Sequence, residues 1–217
     1  MITLYHCDGA RSFRPLWMLE ELGLDYELKM LPFPPRVLAK EYLAINPLGT
    51  IPYLIDGETK MTESSGICHY LGVKHGPTPL MVGPEEAGYG AFLNWMYFSD
   101  ATLTFPQTLV LRYTQLEPEE RRSPQVATDY AKWFLGRLRA VEAATGNAEF
   151  LCGRFTAADI VIGYALRLAD TLKLSKEFGP NVAAYWARLQ LRDGYQRAHA
   201  AEQRAGVEQG IKPRVRP

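Results

Sequence analysis

The sequence predicts an α/β layer of about 80 residues followed by an all-helical region. Three observations predict it. The first part alternates strand-like and helix-like segments in the order β-α-β-α-β-β-α. A Pro/Gly-rich stretch, KHGPTPLMVGPE from Lys74 to Glu85, then breaks the pattern. Beyond it apolar residues recur at helical spacing, with no comparable strand pattern. The expected boundaries are 1–76 for the first part, 77–84 for a connector and 85–217 for the helical part with a surface tail, GIKPRVRP.

Each element has a local reason. ITLYH is β-branched and aromatic and reads as the first strand. SFRPLWMLEELGL reads as a helix: Ser12 suits the N-cap, Pro15 falls in the first turn, and Gly23 ends it. YELKM alternates and reads as a strand, and PPRVLAKEYLAI as a short helix closed by Asn46-Pro47. TIPYLID and TKMTE read as a hairpin around Asp56-Gly57. SSGICHYLGVKHG reads as a helix, with Ser64 or Ser65 available to cap it. The helical part offers a long segment running to TQL, then QVATDYAKWFLGRLRAVEAAT, AADIVIGYALRLADTLKL and NVAAYWARLQL. Trp95 and Trp133 are expected in its core.

Composition narrows the function classes. Among 217 residues, 24 basic and 24 acidic side chains cancel, which argues against a nucleic-acid binder. No apolar run approaches the roughly 20 residues of a membrane span. The opening MITLYH reads directly as a strand, so no leader is expected. The three cysteines, Cys7, Cys68 and Cys152, are scattered without metal or disulfide spacing. The expectation is a cytoplasmic chain, with Cys68 and Cys152 as packing residues.

Two stretches point to chemistry. In NPLGTIPYLIDG, Pro52 stands at a strand entry and cannot donate to a ladder, which a cis Ile51-Pro52 bond would explain. In TESSGI, Glu63 and Ser64 stand at a helix start. Backbone amides there suit a carboxylate, and Glu63 beside them suits an ammonium group. Together they fit a zwitterionic amino acid. A plain helix cap with a dipole-friendly acid accounts for the same residues.

SFRPLWMLEELGL, EYLAINPLGTIPYLIDG, TESSGICHYL and FTAADIVIG, in that order and spacing, resemble the cytosolic glutathione S-transferase superfamily over nearly the whole chain. The resemblance implies a thioredoxin-like N-terminal domain, a helical-bundle C-terminal domain and a homodimer. It implies glutathione as co-substrate, with Thr50 and Ile51 next to a cis Pro52 on its cysteinyl backbone, and Glu63 and Ser64 on the γ-glutamyl end. Lys40 is a candidate for the glycyl carboxylate, and Asp100 for the partner's γ-glutamyl amino group. Tyr97, Phe98, Leu103, Phe105 and Tyr113 are candidates to line an apolar site for a hydrophobic electrophile; helix-bundle core explains some of them equally well. No metal, nucleic acid or membrane is expected. In FTAAD, Thr156 and Asp159 form a capping box and are assigned to stability.

The chemistry such an enzyme faces is thiol ionisation. A cysteine-like thiol with a pKa near 8.5 is only a few per cent thiolate at neutral pH. Lowering that pKa by about two units takes about 2.7 kcal/mol. A hydrogen bond to a charged acceptor supplies about 1.5–3 kcal/mol, and a helix N-terminus about 0.3–1 kcal/mol. Ser12 with Arg11 is the leading candidate pair. Cys7, through a mixed disulfide, and Tyr5 are rivals, as is Arg11 or backbone alone. A Cys7 mechanism would make a thiol transferase or reductase, and a non-enzymatic glutathione-fold binding module is a further alternative.

Overall fold

The computed structural model describes residues 1–211, so residues 212–217 of the expected tail lie outside it. The chain forms two compact units: Met1–Met81 together with the segment from Gln190 onward, and Val82–Leu189.

The first unit is built on a four-stranded sheet in the order β2-β1-β3-β4. Its strands are β1 (Ile2–His6), β2 (Tyr26–Met30), β3 (Tyr53–Asp56) and β4 (Thr59–Met61). β1 and β2 are parallel, joined through α1 (Phe13–Leu22); β3 is antiparallel to β1 and β4. Alternation along β1 buries Ile2, Leu4 and His6 on one face. On the other face Tyr5 packs with Tyr53 and Tyr42 (ring centroids 6.2 and 5.3 Å). α1 buries its whole first two turns, Phe13 to Leu19. Its end is a Schellman cap: Gly23 at φ +64, with the Gly23 amide donating to Glu20 O and the Leu24 amide to Leu19 O. α3 (Ser64–Lys74) completes the predicted order.

Four local expectations are corrected. The PPRVLAKEYLAI segment is not one helix: α2 (Pro35–Leu38) stops at Ala39 (φ −139, ψ 67), and a separate 3₁₀ turn covers Lys40–Ala44. The hairpin loop is Gly57-Glu58, because Asp56 pairs with Thr59; Gly57 supplies the positive φ of +62. Ser12 occupies the N-cap position of α1 but makes no side-chain cap bond; the Phe13 and Arg14 amides are taken by Ala10 O and Arg11 O instead. At α3 the N-cap is Glu63, so neither Ser64 nor Ser65 fills that position.

The largest difference is at the C-terminus. The sequence reading assigns everything from 85 to the helical part and sets apart no helix beyond NVAAYWARLQL. A further helix, α9 (Asp193–Glu208), packs on the first unit. Arg192 forks onto Glu21 (2.8 Å to each oxygen), and Arg197 holds Glu20 at 3.1 Å. Tyr195 stands edge-on to Trp17 and Phe13. Gln209 covers the free edge of β2: Met30 N–H donates to its Oε1 and its Nε2 donates to Leu28 O, both at 2.8 Å. One side-chain amide thus replaces a ladder rung on an otherwise open strand.

The second unit is helical: α4 (Tyr89–Phe98), α5 (Phe105–Leu111), α6 (Pro124–Thr145), α7 (Ala157–Thr171) and α8 (Pro180–Gln190). The long predicted helix is real but interrupted by π turns at Ser99–Thr104 and Arg112–Leu116. The Thr104 hydroxyl donates to Ser99 O, five residues back, and supports the wider turn (2.7 Å). α7 is buried along Ala157–Ala169. The Thr156/Asp159 capping box is present at its start. Asp159 also accepts from Leu151 N–H (3.0 Å) and Tyr185 O–H (2.7 Å). Burial and the neighbouring Asp159 hold the Tyr185 phenol well above its ordinary 10, so it stays a donor. Trp133 is not a core residue: it is 48 % exposed, stacked on Tyr130 at 5.5 Å. Trp95 is half-buried against Phe98.

Candidate active site

Strand direction brings three loops to one end of the first unit's sheet. β1 runs antiparallel to β3 with Tyr5 opposite Tyr53, so the chain leaves β1 where β3 begins. The hairpin register, Leu54 opposite Met61, returns the chain from β4 to that same end. The loop Cys7–Ser12, the pair Ile51-Pro52 and the pair Glu63-Ser64 therefore emerge together.

The Cys7–Ser12 loop is closed by its own hydrogen bonds. Ala10 N–H donates to Cys7 O (3.1 Å), and Cys7 N–H donates to Ser12 Oγ (3.3 Å). Gly9 takes φ +66, which a side chain would resist. Ser12 is fully buried, and its oxygen ties the strand end to the helix start. Cys7 is equally buried, its thiol turned toward Pro32 O at 3.8 Å. Arg11 is the member of the predicted pair that reaches the surface, partly exposed. Tyr5 lies in the tyrosine cluster under the sheet and belongs to packing.

Ile51-Pro52 is cis. Ile51 precedes the ladder, which begins at Tyr53, so its backbone stands at the strand's end and not along a sheet edge. The turn before it is braced from below. Asn46, buried, donates from Nδ2 to Thr50 O (2.9 Å), while its Oδ1 accepts from Leu48 N–H (3.2 Å). Tyr42 O–H donates to the same Thr50 carbonyl at 2.8 Å. Thr50 and Lys40 are both exposed at the surface.

At α3 the first intrahelical bond is Ile67 N–H to Glu63 O (2.8 Å), so the amides before Ile67 point outward from the helix N-terminus. Glu63 is exposed beside them, and Ser64 is buried. Beneath Ser64 lies a residue that sequence reasoning missed. Arg14 of α1 is wholly buried, and its guanidinium donates to Ser64 Oγ at 2.9 Å. The hydroxyl accepts there and keeps its proton to donate elsewhere. Burying a guanidinium is costly unless its charge is used. Arg14 and Ser64 are 50 positions apart, and only a basic residue on the apolar face of a predicted helix hinted at it.

The second unit carries the other predicted residues. Asp100 is partly exposed within the π turn Ser99–Thr104. Tyr97 (70 %) and Phe105 (51 %) are exposed, and Phe98 and Tyr113 partly so. Leu103 is wholly buried and belongs to the bundle core, not to an accessible wall. Among the described residues, no group of acidic, histidine and cysteine side chains has the arrangement of a metal site.

Residues 4–79 match the family model described as glutathione S-transferase, N-terminal domain. Glutathione S-transferase GstA of Escherichia coli O157:H7 is 29 % identical over 205 residues, 93 % of this chain and 98 % of that protein. Glutathione S-transferase 3 of Schizosaccharomyces pombe is 35 % identical over 103 residues, which span 48 % of this chain but only 43 % of that relative. Among solved structures, the glutathione transferase URE2P6 of Phanerochaete chrysosporium, in complex with oxidised glutathione, superposes with a TM-score of 0.81. It is 27 % identical and covers 94 % of this chain and 97 % of that one.

Proposed function

We propose that this chain is a cytosolic glutathione S-transferase, in line with its matches to that superfamily, and that it binds glutathione at this sheet end and ionises its thiol for attack on a hydrophobic electrophile. The observation that carries the reading is the convergence of the Cys7–Ser12 loop, the cis Ile51-Pro52 and the α3 N-terminus. Ile51 offers backbone groups outside the ladder to the cysteinyl part, with Thr50 beside it. Glu63 takes the γ-glutamyl ammonium; Ser64 and the α3 amides take the carboxylate. Lys40 reaches the glycyl carboxylate. Asp100 of a second copy reaches the γ-glutamyl amino group, in a homodimer.

Arg11 carries the direct electrostatic role. A guanidinium bonded to the thiolate supplies about 1.5–3 kcal/mol, and the start of α1 adds about 0.3–1 kcal/mol. That reaches the roughly 2.7 kcal/mol needed for a two-unit shift. Ser12 supports it by holding the loop, a demotion from the contact role expected of it. The thiol proton leaves to solvent. The thiolate then adds to an electrophilic carbon or displaces a leaving group from it. Tyr97 and Phe105, with Phe98 and Tyr113, supply apolar surface for that electrophile. Disulfide exchange through Cys7 requires an accessible thiolate, which its burial denies.

Calorimetric titration with glutathione, followed by a panel of aryl halides and activated alkenes, tests the reading. Binding at millimolar ligand or below, with conjugate formation, supports it. Conjugation that survives Arg11→Ala and Ser12→Ala but is lost in Cys7→Ala sinks the mechanism. Failure to bind glutathione at millimolar concentration points to a non-enzymatic module.

A further inference from the structure

Glu202 lies on α9, 193 positions from the loop it touches, and is 1 % exposed. Its Oε1 accepts from Gly9 N–H at 2.9 Å and lies 2.9 Å from His6 Nε2. The His6 side chain is fully buried, and its Nδ1 has no hydrogen-bond partner among the described residues. With the carboxyl oxygen as acceptor, Nε2–H of His6 is the donor of this bond. One carboxyl oxygen thus gathers a strand-end side chain and the loop amide that follows it.

We propose that Glu202 is a positioning residue for thiol activation: from the C-terminal helix it holds Gly9 and His6 and so sets where Arg11 stands. The inference rests on the reading that the Cys7–Ser12 loop activates glutathione. Inside that loop the Ala10–Cys7 and Cys7–Ser12 bonds fix the two ends. Gly9 is the flexible point between them, at φ +66, and its amide is anchored outside the loop by Glu202. Removing the carboxyl takes away the acceptor that the half-buried Gly9 amide and the buried His6 ring share, and the loop adjusts to its loss. Thiolate stabilisation by a guanidinium depends on sub-ångström placement, so a small shift at Gly9 is felt two residues later at Arg11. Glu202 needs no contact with the ligand for this.

The test compares Glu202→Ala and Glu202→Gln with the wild-type chain. The readouts are the thiol pKa of bound glutathione (thiolate absorbance against pH), the KM–kcat split and the melting temperature. In Glu202→Ala the bound thiol pKa rises by about one unit and kcat at pH 6.5 falls about fivefold. KM for glutathione stays within about threefold, because the Ile51 and Ser64 contacts are untouched. The kcat defect disappears above the raised pKa, where solvent ionises the thiol unaided. In Glu202→Gln a single amide oxygen replaces the carboxyl acceptor, and the pKa rises by about half a unit. A wild-type thiol pKa in Glu202→Gln, or in folded Glu202→Ala, overturns the proposal even if the melting temperature falls, since that fall alone marks a structural role. A wild-type chain that leaves the bound thiol pKa unshifted instead defeats the reading beneath it.

Discussion

Arg14 and Ser64 meet at 2.9 Å with both side chains buried, and Arg11 stands three residues earlier at the surface. In the proposed function the two arginines have separable jobs. Arg11→Ala should raise the pKa of bound glutathione by about one unit. Below the raised pKa kcat drops; above it the variant and wild type converge, so the defect is read as a displaced acidic limb in the pH–rate profile. Arg14, through Ser64, is expected to act on affinity. Arg14→Met and Ser64→Ala should each weaken glutathione binding, and the double variant should lose little more than the worse single one, a coupling of about 1 kcal/mol in a double-mutant cycle by calorimetry. Additive losses would mean that Arg14 only packs. Glu63, Ser64 and the Ile51-Pro52 pair were readable from the chain because their chemistry is local: a helix start, and a proline at a strand entry. Arg14 was not, because a basic side chain inside an apolar stripe does not name its partner 50 residues away.

At the scale of elements, the turn before β3 decides where Ile51 stands. Gly49 sits at φ +58, and a Cβ there would lie 2.6 Å from Arg36 Cβ and 2.8 Å from Leu43 Cδ2. Gly49→Ala therefore meets both backbone strain and a collision with α2 and the 3₁₀ turn. It should destabilise the chain by about 1–3 kcal/mol in denaturant unfolding and raise KM for glutathione. A variant with wild-type stability and KM would show that the turn yields freely. The strands, α1 and α3 were legible from alternation and end signals. The break at Ala39 and the π turns were not: each depends on which carbonyls neighbouring groups satisfy. The capping at α1 shows the same limit. A serine in the N-cap position looks like a cap, yet the preceding turn already takes the first amides, and the hydroxyl is diverted to Cys7.

At the scale of the molecule, the chain returns to its first unit for its last helix. A chain ending at Leu189 would lose the Gln209 rung on β2, the Arg192–Glu21 fork and the Glu202 anchor. It should unfold far below the full chain in a thermal melt, with loss of glutathione binding; a truncated chain that melts like the parent would make α9 dispensable. α9 escaped the sequence reading for a physical reason. Its buried stripe is Gly194, Tyr195, Ala198, Ala201, Glu202 and Ala205, mostly small residues around a charge. Gly194 admits the Glu21 side chain, which a Cβ would meet at 2.5 Å.

Sequence alone determined the α/β-then-helical order, the family resemblance, the cis-proline turn and the acid–serine helix start, because short-range periodicity, turn chemistry and motif spacing carry them. Tertiary structure decided what the loop after β1 does. The hydroxyl and the thiol that stand out in LYHCDGARSF are both sealed inside, the arginine between them remains at the surface, and a glutamate near the other end of the chain holds the loop. Burial and long-range hydrogen bonding choose among neighbouring candidates, and neither is encoded in local order.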